Sequence, residues 1–261
     1  MDILVCVRQV PIIKGDVKFS TDGRSINIAS YKHHINEWDL FALEEALQIK
    51  ASHGGKVSTI SIGDSQTTDA LYYTLAAGVD EAIHIQTETQ KLDNWQISYI
   101  IAKLIGTLSH DIVFTGVQAE DEGSGEIGAN LSYLLNLPLA TAVIAINKIE
   151  DGYVQLEREL EEGYRDRLKI DLPFLGTIQS GIRQTRYVST MRLRKARKKA
   201  KIESVSLSDL ELDINQITPR KKVVNLTLPP ASSDKLELIT GDDADAIATN
   251  LIGKLKERGT L

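Results

Sequence analysis

The residues best suited to hold a ligand lie in one stretch, DIVFTGVQAEDEGSGEIGANL, residues 111–131. An apolar run ends at Gly116, acids and glycines follow, and a helical pattern then begins. Gly123, Ser124, Gly125 and Gly128 are small enough to let backbone N–H groups approach an oxyanion, and a helix start adds partial positive charge. Glu120, Asp121, Glu122 and Glu126 oppose this chemistry, because carboxylates repel phosphate and cannot all face it. The plainer alternative is a turn in which Ser124 is only a helix N-cap. The spacing lacks the lysine of a GxxxxGK[ST] loop. GSGEIG matches the letters of GxGxxG, but outside the first strand–helix turn where that fingerprint belongs.

A catalytic set is missing elsewhere. His33, His34, His53, His84 and His110 are scattered, and no HExxH, GxSxG or paired-carboxylate signature occurs. Cys6 lies in an apolar run and reads as a small core residue, not a nucleophile. An ordinary hydrolase is therefore disfavoured, and no catalytic or metal-binding residue is assigned. The run RLRKARKK, 192–199, is either a solvated face or a docking segment for an acidic protein. Nucleic acid is the weakest alternative, since the run has no interleaved aromatics and the chain carries a net charge of -6.

With 261 residues, 42% of them hydrophobic, the chain suffices for one large domain or a domain with an appendage. A single cysteine rules out an internal disulfide framework and fits a reducing compartment. The start MDILVCVRQV is too short in apolar residues for a secretory leader, and no run approaches the ~20 residues of a membrane span. A cytoplasmic, or mitochondrial-matrix equivalent, location is expected.

The elements that must position the loop follow from periodicity. Short apolar runs at 3–7, 56–63, 81–86 and 111–116 alternate with helical patterns at 36–55, 64–78, 94–109 and after the loop to Asn136. This rhythm predicts an α/β fold with a doubly wound, mainly parallel sheet. Ligands in such sheets sit beyond the carboxyl ends of strands. Residues 139–178 read as strands joined by turns at Asp151-Gly152 and Gly163, an antiparallel extension. A domain of residues 1–203 is expected, followed by an arm and terminal helix at 204–261. Ile247, Leu251 and Leu255 give that helix one apolar face for a partner subunit.

The order of ILVCVRQVP (3–11), NEWDLFALEEALQIK (36–50), TLAAGVDEAIHI (74–85), DIVFTGVQAEDEGSGEIG (111–128), RYVSTMRLRKARKK (186–199) and IGKLKERG near the end resembles the β subunit of electron-transfer flavoprotein along nearly the whole chain. The resemblance implies a heterodimer with an α subunit that holds the electron-carrying FAD. It implies an adenine nucleotide in this chain: AMP, or a second FAD as the alternative. Matching the family's segments places Cys6, Val7, Asn36, Gly63, Gln118 and Gly123–Gly128 around that nucleotide. Ser124, Gly125, Glu126 and Ile127 fall on the positions nearest phosphate. Arg186, Tyr187, Thr190, Met191, Arg192, Arg194, Lys195, Arg197 and Lys198 fall on the segment that docks an acyl-CoA or similar flavin dehydrogenase. Thr190 stands where many members have a leucine anchor, and the loop lacks the Asp-Gly-Asp-Thr-Ala-Gln-Val signature of bifurcating members.

An electron-carrier subunit explains why a nucleotide-binding sheet lacks catalytic residues, since the redox chemistry belongs to flavin. The competing reading is a stand-alone ATP-binding α/β protein using Arg8 and the acids at 120–122.

Overall fold

The structure is a computed structural model describing residues 1–89, 92–230 and 236–261. It divides into two compact units, Met1–Leu226 and Thr227–Leu261. The first is built on strands β1 (Asp2–Cys6), β2 (Gln9–Ile12), β3 (Lys32–Ile35), β4 (Lys56–Gly63), β5 (Glu81–Gln86), β6 (Ile112–Gly116), β7 (Leu139–Glu150), β8 (Tyr153–Glu159), β9 (Arg165–Asp171), β10 (Phe174–Ile178) and β11 (Glu203–Ser206). Its helices are α1 (Glu37–His53), α2 (Thr68–Ala77), α3 (Asn94–Ile105), α4 (Ile127–Leu135) and α5 (Thr190–Lys199).

A nine-stranded sheet has the order β11-β5-β4-β1-β6-β10-β7-β8-β9. Pairings from β11 through to β7 are parallel, and β7-β8-β9 are antiparallel. The strand alternation explains the two layers. Ile3, Val5 and Val7 point into one core with α1 and α2, while Leu4 and Cys6 point into the other beside α3 and α4. Both faces are covered, so the central strands are buried and mostly apolar on both sides, with hydroxyl residues such as Thr59 and Ser61 of β4 hydrogen-bonded inside.

The chain leaves β1 for β4 and β5 on one side, then returns to β6 on the other side of β1. The order therefore reverses between β1 and β6, and a crevice opens beyond their carboxyl ends. A two-stranded hairpin, β2-β3, stands beside it. The Asp22-Gly23 turn lies in the excursion between these strands, where Phe19 bridges Ile26.

Two boundaries differ from the expectation. Phe174–Ile178 does not belong to the antiparallel extension; β10 inserts parallel between β6 and β7. The arm expected from residue 204 begins at 227. Residues 203–206 add a parallel strand to β5, and Val205 and Ile217 are buried against α3 and its strands. The second unit holds α6 (Ala244–Glu257), capped by Asp243, which accepts from the Ala246 amide. Glu237 pairs with Lys254 and Arg258, and no residue of α6 is buried.

Candidate functional site: the crevice between β1 and β6

Asp39 organises the crevice. It lies in the first turn of α1 and is almost wholly buried. One carboxylate oxygen accepts from the Arg8 amide at 2.7 Å and the other from the Gly116 amide at 2.9 Å, joining the ends of β1 and β6. Burial pushes its carboxyl up to about 7, against the pull of those two amides. Asn36 fixes the next stretch. Its side chain donates to the Gln118 carbonyl at 2.8 Å and accepts from the Glu120 amide at 3.1 Å.

The acids of the loop have donors within the chain. Glu120 accepts from the Glu37 amide at the start of α1 and meets His34 at 3.1 Å. Asp121 and Glu122 both take Arg8 Nη2 at 2.8 Å. Burial and the neighbouring Glu122 raise the Asp121 carboxyl despite Arg8. Burial also acts to raise Glu122, but Arg8 brings it below its ordinary value. Asn94 Nδ2 reaches Glu122 at 3.0 Å, Ser124 Oγ at 2.8 Å and Glu126 at 3.3 Å, and Glu126 also pairs with Lys221. The carboxylates are thus gathered by Arg8, Asn94 and Lys221, which leaves the backbone between them to act. Among the described residues, the amides of 124–129 have no hydrogen-bond acceptor. Gly123 and Gly125 make the turn with φ of +64° each, a conformation that favours glycine.

The candidate residues divide. Gln118, Gly123, Ser124, Gly125, Glu126 and Ile127 line the loop at the crevice. Ser124 is not the N-cap of α4: Glu126 holds that position, without a side-chain bond to the helix. Cys6 and Val7 face the two cores, and Val7 uses its amide and carbonyl on Ile60 and Ser61. Burial, with Asp39 nearby, raises the Cys6 thiol to about 12, so it is no nucleophile. Gly63 and Gly128 are required by packing. A Cβ at Gly63 would meet Thr67 Oγ1 at 2.1 Å, and one at Gly128 would meet Thr177 Cγ2 at 2.3 Å. Asp39, Asn94 and Lys221 were not singled out from sequence. Only the basic triplet 220–222 gave any signal. No group of metal-binding side chains occurs among the described residues.

The family model for the electron transfer flavoprotein domain matches residues 26–210. The chain belongs to the electron transfer flavoprotein family. It is similar to electron transfer flavoprotein subunit beta of Bacillus subtilis, 32% identical over 85% of both chains. The subunit beta of Thermoanaerobacterium thermosaccharolyticum is 32% identical over 99% of both, and that of Homo sapiens 28% identical over 99% of this chain and 98% of its own.

In this electron transfer flavoprotein chain the basic segment forms α5, capped by Ser189, with Leu193 and Ala196 turned to α2 and half-buried. Tyr187, Thr190, Met191, Arg192, Arg194, Lys195, Arg197 and Lys198 are exposed. Arg186 is different. Its guanidinium grips the buried Glu44 at 2.7 and 2.9 Å and donates to the Ala77 carbonyl at 3.0 Å. Arg183 holds the adjacent buried Glu45 at 2.6 Å. Arg186 therefore fastens the segment to α1 and α2, and Arg197 is engaged by Asp69 at 3.0 Å. No helix among the described residues is long and apolar enough to cross a membrane.

Proposed function

We propose that the chain is the β subunit of a heterodimeric electron-transfer flavoprotein and holds an adenine nucleotide in the crevice between β1 and β6. The observation that carries this reading is the row of amides at 124–129, without acceptors among the described residues, at a helix start beyond a strand-order reversal. Such amides bind a phosphate without a lysine in the loop, so the residues fit the group. Gly125 allows the turn: φ is +64°, and a Cβ would stand 3.2 Å from the Val117 carbonyl. AMP is the ligand expected from the sequence, and a second FAD is the alternative.

The electron-carrying FAD is assigned to the α subunit, where the flavin ring supplies the redox chemistry when bound. This chain's residues position and dock. The half-exposed Ile247, Leu251 and Ile252 of α6 give the arm an apolar face for the α subunit. The exposed basic face of α5, with Tyr187 84% and Met191 79% exposed beside it, fits an acidic flavin dehydrogenase of the acyl-CoA type. A cytoplasmic or matrix location accompanies this role. Acid extraction of the purified protein followed by mass measurement identifies the nucleotide. Gly125→Val should lower its occupancy severalfold with the fold retained. An extract without nucleotide, or unchanged occupancy in the variant, would refute the site.

A further inference from the structure

Residues 217–226 run from α3 to the excursion between β2 and β3, and their two ends are held very differently. The first end is held firmly. Ile217 is buried against α3, and its carbonyl accepts from Gln96 Nε2 at 2.8 Å. Asp93, the N-cap of α3, gives one oxygen to the Gln96 amide at 2.8 Å and the other to the amides of Arg220 and Lys221, the latter at 2.8 Å. The second end is held at one point. The Leu226 amide donates to the Gly23 carbonyl at 2.9 Å, and Leu226 is half-buried there. Lys222, Val223, Val224 and Asn225 lie between, all exposed, and among the described residues they make no hydrogen bond.

The two anchors straddle the loop. His34 and Asn36, at the close of the hairpin, hold Glu120 and Gln118 at one end of it. Asn94, at the start of α3, holds Glu122, Ser124 and Glu126 at the other. The strap joins the same two elements a second time, so the contacts close a circuit around the amides of 124–129. Its root stands directly over them. Lys221 reaches Glu126, and a cavity of about 250 Å³ lies between Arg220 and Lys221 on one side and Gly125, Ala129 and Asn130 on the other. The five residue steps from Lys221 to Leu226 reach at most about 18 Å, so little slack remains once both ends are tied.

The unequal anchors make the strap a hinge with a latch. One backbone hydrogen bond favours the tied state by about two- to tenfold, so Leu226 lets go often, while the root, with several bonds and a buried isoleucine, stays. We propose that residues 221–226 are a gate over the crevice, hinged at Lys221 on Asp93 and latched at Leu226 on Gly23, which sets how fast nucleotide enters and leaves. The gate rests on the nucleotide site proposed above. The exposed residues 222–225 supply no contact to the ligand, so the gate acts on rates and not on affinity.

Exchange of radiolabelled AMP and of FAD on the full-length chain, in the assembly in which it purifies, reads both rate constants. Leu226→Pro removes the latching N–H. It should raise association and dissociation together by about two- to tenfold and leave Kd within about twofold. Gly23→Cys with Asn225→Cys locks the latch, because a Cβ at Gly23 would stand 3.5 Å from Asn225 Oδ1, within reach of a disulfide. Oxidised, this protein should exchange nucleotide at least tenfold more slowly than wild type, and reduction should restore exchange in the same sample. The native Cys6 is buried and takes no part. Rates unmoved by the proline, a rise in dissociation alone, or a cysteine pair that fails to oxidise or exchanges freely when oxidised overturns the gate and leaves the nucleotide site standing. No binding of AMP or FAD by the wild type overturns the nucleotide site and the gate with it.

Discussion

Gly128→Ala tests whether the start of α4 is seated by close packing. A methyl at this position would stand 2.3 Å from Thr177 Cγ2 and 3.0 Å from Thr115 Oγ1, on strands β10 and β6. Overpacking of a filled site costs about 1–3 kcal/mol. Exchange of glycine for alanine within a helix returns up to about 1 kcal/mol. A net loss of about 1–2 kcal/mol is expected, or roughly 2–8 °C in Tm for a domain of this size. The clash names its own remedy. Thr177→Ser deletes the methyl and keeps the hydroxyl that accepts from the Ala142 amide at 2.9 Å. Alone it should cost about 0.8 kcal/mol for the lost buried carbon. Combined with Gly128→Ala it should restore stability, so the effect of the same substitution changes sign. Thermal unfolding of the four proteins in the cycle, with nucleotide content measured in parallel, is the assay. A neutral Gly128→Ala, or additive effects in the double variant, would refute the packing role.

Three further outcomes follow from the contacts described. Asp39 has its folded value at about 7, above its ordinary 3.8, so its contribution to stability is full below the ordinary value and is lost as pH rises through about 7. Asp39→Asn removes that dependence, and the stability of wild type relative to the variant should fall between about pH 4 and about pH 8; a constant difference in chemical denaturation would refute it. Glu44→Ala leaves Arg186 without its carboxylate. Because the arginine is about a third exposed, the loss should be about 1–2 kcal/mol, with faster proteolysis of residues 186–190; cleavage at the wild-type rate would show that the grip does not hold the segment. Lys195→Glu with Lys198→Glu should slow electron transfer with an acidic dehydrogenase at low salt and leave Tm nearly unchanged. Equal stopped-flow rates across an ionic-strength series would reduce α5 to a solvated face.

The alternation of strands and helices was legible because the buried strands are short, mostly apolar runs and the first helices carry their own stops. Gly54 and Gly78 both end helices with positive φ. Direction was not legible for FLGTI, since a short buried run reads the same whether its neighbours run with or against it. Residues 203–226 offered only isolated apolar side chains such as Val205 and Ile217, and these join the core singly, without a period. The loop at 118–128 could be found from its glycines. Its partners could not, because Asp39, Asn94 and Lys221 lie far from it in sequence and meet it only when the sheet closes. Arg186 shows the opposite error. It lies at the start of a basic run, yet its fork is committed to Glu44.

The insertion of β10 between β6 and β7 has a consequence for biosynthesis. A ribosome that has released the chain as far as β9 has delivered β1, β4, β5 and β6, but the open side of β6 has no strand to bond to it. β7 waits as well, because its parallel neighbour has not yet emerged, and β8 and β9 can only extend a ribbon that has no anchor. For as long as elongation takes to supply Phe174–Ile178, the nascent chain presents an unpaired apolar edge, the kind of surface on which chains join one another. Rare codons or premature termination shortly before residue 174 should therefore raise aggregation sharply, whereas interruption after Ile178 should leave a nascent sheet with that edge closed.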